Sequence, residues 1–226
     1  MTNKLHITAK NILPSFGSNK VFDLISREEW EHIEHKCESN SRNAKMWSVA
    51  YGFYDGEGNS RLLPLHFACS LHPPVKTLES IIRAYPEGVN ARESAYDRLP
   101  LHIACLHNSS SDVIQLLLRH GVTAAGIVDA DGRLPLHYAL SNAAPFEVIK
   151  ALVTAYPQGV RVADSLGWLP IHVACCRCAS LDVVTVLLGA CPTTAALTTD
   201  KGRTPAMLAK RFNRRNGDEV ADLLEA

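Results

Sequence analysis

Two residue types that can do chemistry recur at regular spacing in this chain: histidine and cysteine. His66, His102, His137 and His172 follow one another at intervals of 36, 35 and 35 residues. Imidazoles can hold a metal or exchange protons, provided that they converge. Spacing this long and this regular argues against convergence. Side chains one structural repeat apart lie about 10 Å from each other, roughly one helix diameter, whereas zinc takes its ligands at about 2 Å. The four histidines are therefore read as structural hydrogen-bonding groups. Cys175, Cys176, Cys178 and the more distant Cys191 are the densest thiol cluster, but Cys-Cys-x-Cys on one short helix lacks the two separated pairs of a zinc site. Cys69, Cys105 and Cys175 each stand three residues after a repeated histidine, as small core residues would. The total of seven cysteines is odd, which disfavours a closed disulfide framework and suits a reducing compartment. No nucleophile elbow, phosphate-binding Gly-rich loop or dinucleotide fingerprint is present, and the acidic residues read as solvated turn and cap positions. No catalytic residue, metal or cofactor is expected, and the chain is not expected to be an enzyme.

The elements that carry these residues repeat with them. Leu63-Pro64-Leu65-His66-Phe67-Ala68 returns as Leu99–Ala104, Leu134–Ala139 and Leu169–Ala174, and in degenerate form as Thr204-Pro205-Ala206-Met207-Leu208-Ala209. A fixed period of 35 to 36 residues marks stacked units that cannot bury their apolar faces alone. Proline at the second place suits the first turn of a helix, where its missing N–H costs nothing. A polar or proline-containing break follows, and then a second helix with 3.6-residue periodicity: Val75–Ala84, Asp112–His120, Phe146–Ala155 and Leu181–Gly189. Two of these end in Ala-Tyr-Pro-x-Gly, where Pro86 and Pro157 stop the helix and Gly88 and Gly159 are expected to permit a backbone reversal.

The Leu-Pro-Leu-His-x-Ala hexapeptide resembles the Thr-Pro-Leu-His-x-Ala that opens the first helix of an ankyrin repeat. The likeness is strong over about residues 55–212. The resemblance implies an all-α solenoid of antiparallel helix pairs with projecting β-turn fingers, in which each histidine bridges backbone groups of the turns. Two departures stand out: leucine replaces threonine at the first place in all copies but Thr204, and the period exceeds the family's usual 33. The Leu-Pro-Leu-His and Tyr-Pro-x-Gly variants resemble ankyrin-like proteins of algae related to diatoms.

The expected organisation is an unstructured tail over residues 1–15, an N-terminal helical cap or degenerate repeat over 16–54, four repeats over 55–203 and a degenerate capping repeat over 204–226. Ser26-Arg27-Glu28-Glu29 reads as a capping box before a helix reaching Cys37. No run approaches the roughly 18–20 apolar residues of a membrane span, so no membrane insertion is expected. The 23 basic and 23 acidic residues cancel, and no global field favours nucleic acid.

The family resemblance directs attention to residues that the scaffold leaves free. The position before each hexapeptide runs Leu62, Arg98, Arg133, Trp168, Arg203, and the fifth hexapeptide position runs Phe67, Ile103, Tyr138, Val173, Leu208. The first row lies on the fingers and the second borders the groove in the family, so both are candidate partner contacts. Trp and Arg are favoured at binding hot spots. The competing reading is that Trp168 covers a neighbouring repeat and the arginines are solubilising. Lys201, Arg203, Lys210, Arg211, Arg214 and Arg215 form a basic patch, read as solvated cap surface, with an acidic partner as the rival. The expected function is recognition of an unidentified protein partner by an adaptor, inhibitor or targeting factor, monomeric alone and cytoplasmic or nuclear. The alternatives are an obligate subunit of a larger complex and, less favoured, nucleic-acid binding.

Overall fold

In the computed structural model the described residues are 19–51, 53–54, 59–213 and 215–225. The expected tail over residues 1–15 and the patch residue Arg214 lie outside them. The chain forms two compact units, the first ending at Ala124 and the second starting at Ala125.

The first unit opens with α1 (Lys20–Ser26), α2 (Trp30–Ser39) and α3 (Arg42–Lys45). Asn19 caps α1 by accepting from the N–H groups of Val21 and Phe22, and its amide donates to the carbonyls of Asn43 and Met46. The Ser26 capping box does not form. The Ser26 hydroxyl donates back to the Asp23 carbonyl at 2.7 Å, and Glu28 takes a left-handed conformation, φ 55°. Glu29 precedes α2 without a side-chain cap bond. The polar stretch after α2 includes the short helix α3. A hairpin of β1 (Ser48–Tyr51) and β2 (Asn59–Leu62) follows, antiparallel, with Ser48 opposite Leu62 and Tyr51 opposite Asn59. Two helix pairs complete the unit: α4 (Pro64–Cys69) with α5 (Val75–Ala84), and α6 (Pro100–Leu106) with α7 (Ser111–His120). The first helices stack α1–α4–α6 and the second helices α2–α5–α7.

The second unit repeats the plan with α8 (Pro135–Ser141), α9 (Phe146–Ala155), α10 (Pro170–Cys176), α11 (Leu181–Ala190), α12 (Pro205–Phe212) and α13 (Gly217–Glu225). Here α8–α10–α12 stack, α11 packs on α9, and α12 packs on α13.

Helices of two or three turns are marginal alone, so packing must hold them. Every residue of α4 is buried, as are the first six of α6, α8 and α10. Leu63, Leu99, Leu134 and Leu169 are all nearly closed to solvent; burying such a side chain contributes about 2 kcal/mol. The breaks between paired helices turn on one left-handed residue each: His72, Asn108, Ala143 and Cys178, with φ between 52° and 60°.

α5, α7, α9 and α11 are each followed by a 3-10 turn, at Pro86–Asn90, Val122–Gly126, Pro157–Arg161 and Pro192–Ala196. This changes the role of two glycines. Gly88 and Gly159 do not adopt left-handed backbone. They are small because the preceding tyrosine ring folds over them: a Cβ on Gly159 would lie 2.9 Å from Tyr156 Cδ1 and 3.0 Å from Leu134 Cδ1.

Candidate functional site

The repeated histidines join the helices to the loops that project between repeats. In each full repeat the backbone N–H before the helix (Leu63, Leu99, Leu134, Leu169) donates to histidine Nδ1 at 3.1 to 3.2 Å. That fixes the proton on Nε2, which donates to a carbonyl at the neck of a loop: His66 to Ala91 at 2.9 Å, His137 to Trp168 at 3.1 Å, His172 to Leu197 at 3.0 Å. Burial holds His66 and His137 neutral, pushing both pKa values down to about 4. His172 is lowered for the same reason. In the last repeat Thr204 and Met207 replace the Leu–His pair, and Thr204 Oγ1 accepts from Met207 N at 3.2 Å.

Within each loop a buried side chain organises the turn. Asp129 Oδ1 accepts from the N–H groups of Asp131 and Arg133 at 3.0 and 2.9 Å, and its Oδ2 accepts from the Tyr138 hydroxyl at 2.6 Å. Asp164 Oδ1 accepts from Leu166 N and Trp168 N, both at 3.0 Å, while Oδ2 receives Arg133 Nε at 3.1 Å. Thr199 performs a weaker version, accepting from Arg203 N at 3.3 Å. In the first unit Glu93 accepts from Ala95, Tyr96 and Arg98 N–H groups and from the Ser60 hydroxyl of the hairpin. These acids are 0 to 6 % exposed, not the solvated surface that their sequence context suggests. Glu93, Asp129, Asp164 and Thr199 each stand 27 residues after a repeated histidine. That shared register was the available signal.

The acids also assign the residues proposed as contacts. Arg98 is 8 % exposed, with its guanidinium 4.9 Å from the Tyr54 ring and 4.4 Å from the Tyr96 ring. Arg133 is paired with Asp164 and lies 5.7 Å from the Tyr138 ring. Burial opposes its charge, but the Asp164 hydrogen bond and the neighbouring charges outweigh it and raise its pKa. Trp168 is half-buried, its ring 6.3 Å from that of His172. Arg203 is half-buried. Leu62, Phe67 and Ile103 are fully buried, and Tyr138, Val173 and Leu208 nearly so. The fifth hexapeptide position thus faces the core: Phe67 stacks on Phe22 at 4.5 Å. Leu62, as the last residue of β2, belongs to the hairpin's buried side.

Exposed apolar side chains sit one or two residues away, at the loop tips. Leu166 is 60 % exposed and Tyr96 37 %. Met46, Trp47 and Tyr51 are also exposed, beside and on β1.

Burial keeps the Cys69 and Cys105 thiols protonated and pushes Cys175 up to about 12. Among the described residues no group of three or more His, Cys, Asp or Glu could hold a metal ion. Of the basic patch, Lys210 reaches Glu225 at 3.0 Å, Arg211 lies 5.3 Å from the Phe212 ring, and Arg215 is exposed. Among the described residues no helix is long and apolar enough to cross a membrane.

Antiparallel helix pairs at intervals of 35 to 36 residues, joined by short projecting turns that histidines tie to the helices, define an all-α repeat solenoid. Residues 65–160 match ankyrin repeats in three copies and residues 166–196 match a further ankyrin repeat, so the chain belongs to the ankyrin repeat family. Its role is the family's general one, protein–protein interaction and scaffolding. A search of curated proteins finds no match.

Proposed function

We propose that the chain is an adaptor, inhibitor or targeting factor that recognises a protein through its finger tips and the groove beside them, as a monomer. The observation that carries this reading is Leu166. It is 60 % exposed, yet its backbone N–H is fixed 3.0 Å from the Asp164 carboxylate. A large apolar side chain on a preformed turn can bury area with little ordering cost. Tyr96, on the Glu93 loop, has the same character. The loop bases, Arg98, Arg133 and Trp168, hold these tips in place; of the original row, Trp168 and Arg203 retain enough exposure to contribute contacts. The seven cysteines are free thiols, which supports a reducing location such as cytoplasm or nucleus. The Lys210–Glu225 pair counts against nucleic-acid binding through the C-terminal patch.

The test is affinity capture from native cells with Leu166→Asp, Tyr96→Ala and Arg133→Ala variants, each beside a thermal melt. Leu166→Asp should lose the partner while melting normally. Arg133→Ala should lower the melting temperature. Capture that survives both tip changes in folded protein counts against the reading, and inseparable stoichiometric co-purification would identify an obligate subunit instead.

A further inference from the structure

Positions that are buried or half-buried in each of the four full repeats are exposed in the degenerate repeat that α12 opens. The fourth hexapeptide residue is His66, His102, His137 or His172, at 0 or 1 % exposure, but Met207 is 59 % exposed. The position two residues before Glu93, Asp129 and Asp164 is half-buried as Ala91, Ile127 and Val162, and the position two residues before Thr199 is 45 % exposed as Leu197. Three positions after the repeated histidine the chain has buried Cys69, Cys105, Leu140 and Cys175, and in the last repeat the exposed Lys210.

This end face is not simply polar. Met207 and Arg211 lie one turn apart on α12, Phe212 beside them is 38 % exposed, and Lys201 and Arg203 belong to the turn that leads into the helix. The acids of α13 compensate only one of its cations: Glu225 binds Lys210, and Asp222 and Asp218 add to its field. Among the described residues Lys201, Arg203 and Arg211 have no carboxylate within ion-pair distance. An exposed apolar side chain with uncompensated positive charge on its own helix and on the turn before it selects its occupant by charge. A second copy meeting this face with its own would oppose arginine to arginine, which is costly. An acidic segment with a large apolar side chain would satisfy both parts.

We propose that the open face of α12 is a docking surface for an acidic, amphipathic segment of a protein partner, seated on Met207 and held by Arg211, Lys201 and Arg203. Met suits such a seat because its flexible thioether adapts to the shape it meets. This surface shares Arg203 with the finger row, but its seat on Met207 and Arg211 stands whether or not Leu166 binds anything.

The test uses the full chain, immobilised, and a phage-displayed library of random 16-residue peptides. Enriched peptides should carry several Asp or Glu and at least one Leu, Ile, Phe or Trp. One of them, synthesised and followed by fluorescence anisotropy, should bind at least about tenfold more weakly to Met207→Asp and to Arg211→Glu, and more weakly in 300 mM than in 50 mM salt, as screened charge requires. Leu166→Asp should bind it normally. Both end-face positions are exposed, and unchanged melts would show that the variants fold. Enrichment of neutral or basic peptides, no enrichment at all, or acidic peptides whose binding survives both substitutions would overturn the proposal. So would sedimentation showing a dimer that Met207→Asp dissociates, which would assign the face to a second copy.

Discussion

The loop Glu93–Arg98 in the first unit and the loops Asp129–Arg133 and Asp164–Trp168 in the second solve one problem with different lengths. The first has six residues, the others five. The extra residue accounts for the single interval of 36 among repeats of 35, because histidine-to-acid distances are uniform and only the acid-to-histidine distance grows. Two substitutions absorb it. Glutamate stands for aspartate, and one more methylene lets its carboxylate reach Ala95, Tyr96 and Arg98 N–H groups around the wider turn. Asp97 takes the left-handed position, φ 56°, that Gly132 and Gly167 hold at 73° and 72°. The lesson is that the fold conserves the hydrogen-bonded neck and lets the tip vary, which is what a display scaffold requires.

If the necks are equivalent, acid should attack both units alike, and this is the largest effect expected. His66 and His137 have folded pKa values near 4 against 6.5 for the free side chain, and so does His107, whose Nε2 is buried without a partner and faces His72 and Arg98. Between these values the unfolded chain binds protons that the folded chain does not. Stability is therefore complete above pH 6.5 and falls as pH drops from 6.5 toward 4. At pH 5 each of the three should cost about 2 kcal/mol. Urea melts at pH 7 and pH 5, with hydrogen exchange read in α4 and α8, should show both helices losing protection. Loss confined to one unit would break the equivalence.

Next in size is removal of a loop acid. Asp164→Ala would orphan two N–H groups and remove the carboxylate partner of the half-buried Arg133 guanidinium, at a cost of about 3 kcal/mol. Asp164→Asn should recover roughly half, since the amide oxygen can still accept from Leu166 and Trp168. Equal losses in chemical denaturation for the two variants would show that charge, not turn geometry, dominates.

Glu93→Asp tests the length argument directly. The shorter side chain should lose at least one of its three backbone bonds, worth about 1–2 kcal/mol. Deleting Ala95 and replacing Asp97 with Gly in the same protein should restore most of the loss by making a five-residue loop. A melting temperature that stays low after this repair would sink the idea that length is what separates the two loop types.

These loops also mark where the sequence stops being transparent. The stacking of helices was legible because Leu-Pro-Leu-His recurs almost unchanged and must, given that each of its residues is buried. The loop-organising side chains recur in the same register but as Glu, Asp, Asp and Thr, so identity hides a shared role that only hydrogen-bond geometry defines. The hairpin is not legible for a tertiary reason: β2 is held partly by the Glu93–Arg98 loop, through Arg61 N to Ser94 Oγ at 2.8 Å and Ser60 Oγ to Glu93. The candidate contacts were misplaced because an arginine before a helix reads as surface. Nothing in the string of residues reveals that tyrosines enclose Arg98 or that Asp164 faces Arg133.

The smallest effects concern the left-handed residue itself. Gly132→Asp should be the costlier direction, by about 1–2 kcal/mol, because a Cβ there adds a contact of 3.1 Å with Ser165 N to the unfavourable φ. Asp97→Gly should stabilise slightly. A left-handed L-residue costs about 1–2 kcal/mol, less for aspartate, whose side chain tolerates the region. Against that gain, glycine loosens the unfolded chain by about 0.4–1 kcal/mol. The remainder is a few tenths of a kcal/mol in favour of glycine, readable as a rise in denaturation midpoint at constant slope. A fall instead would mean that Asp97 contributes a side-chain contact in the native loop, and the first loop would then be a distinct structure and not a lengthened copy of the others.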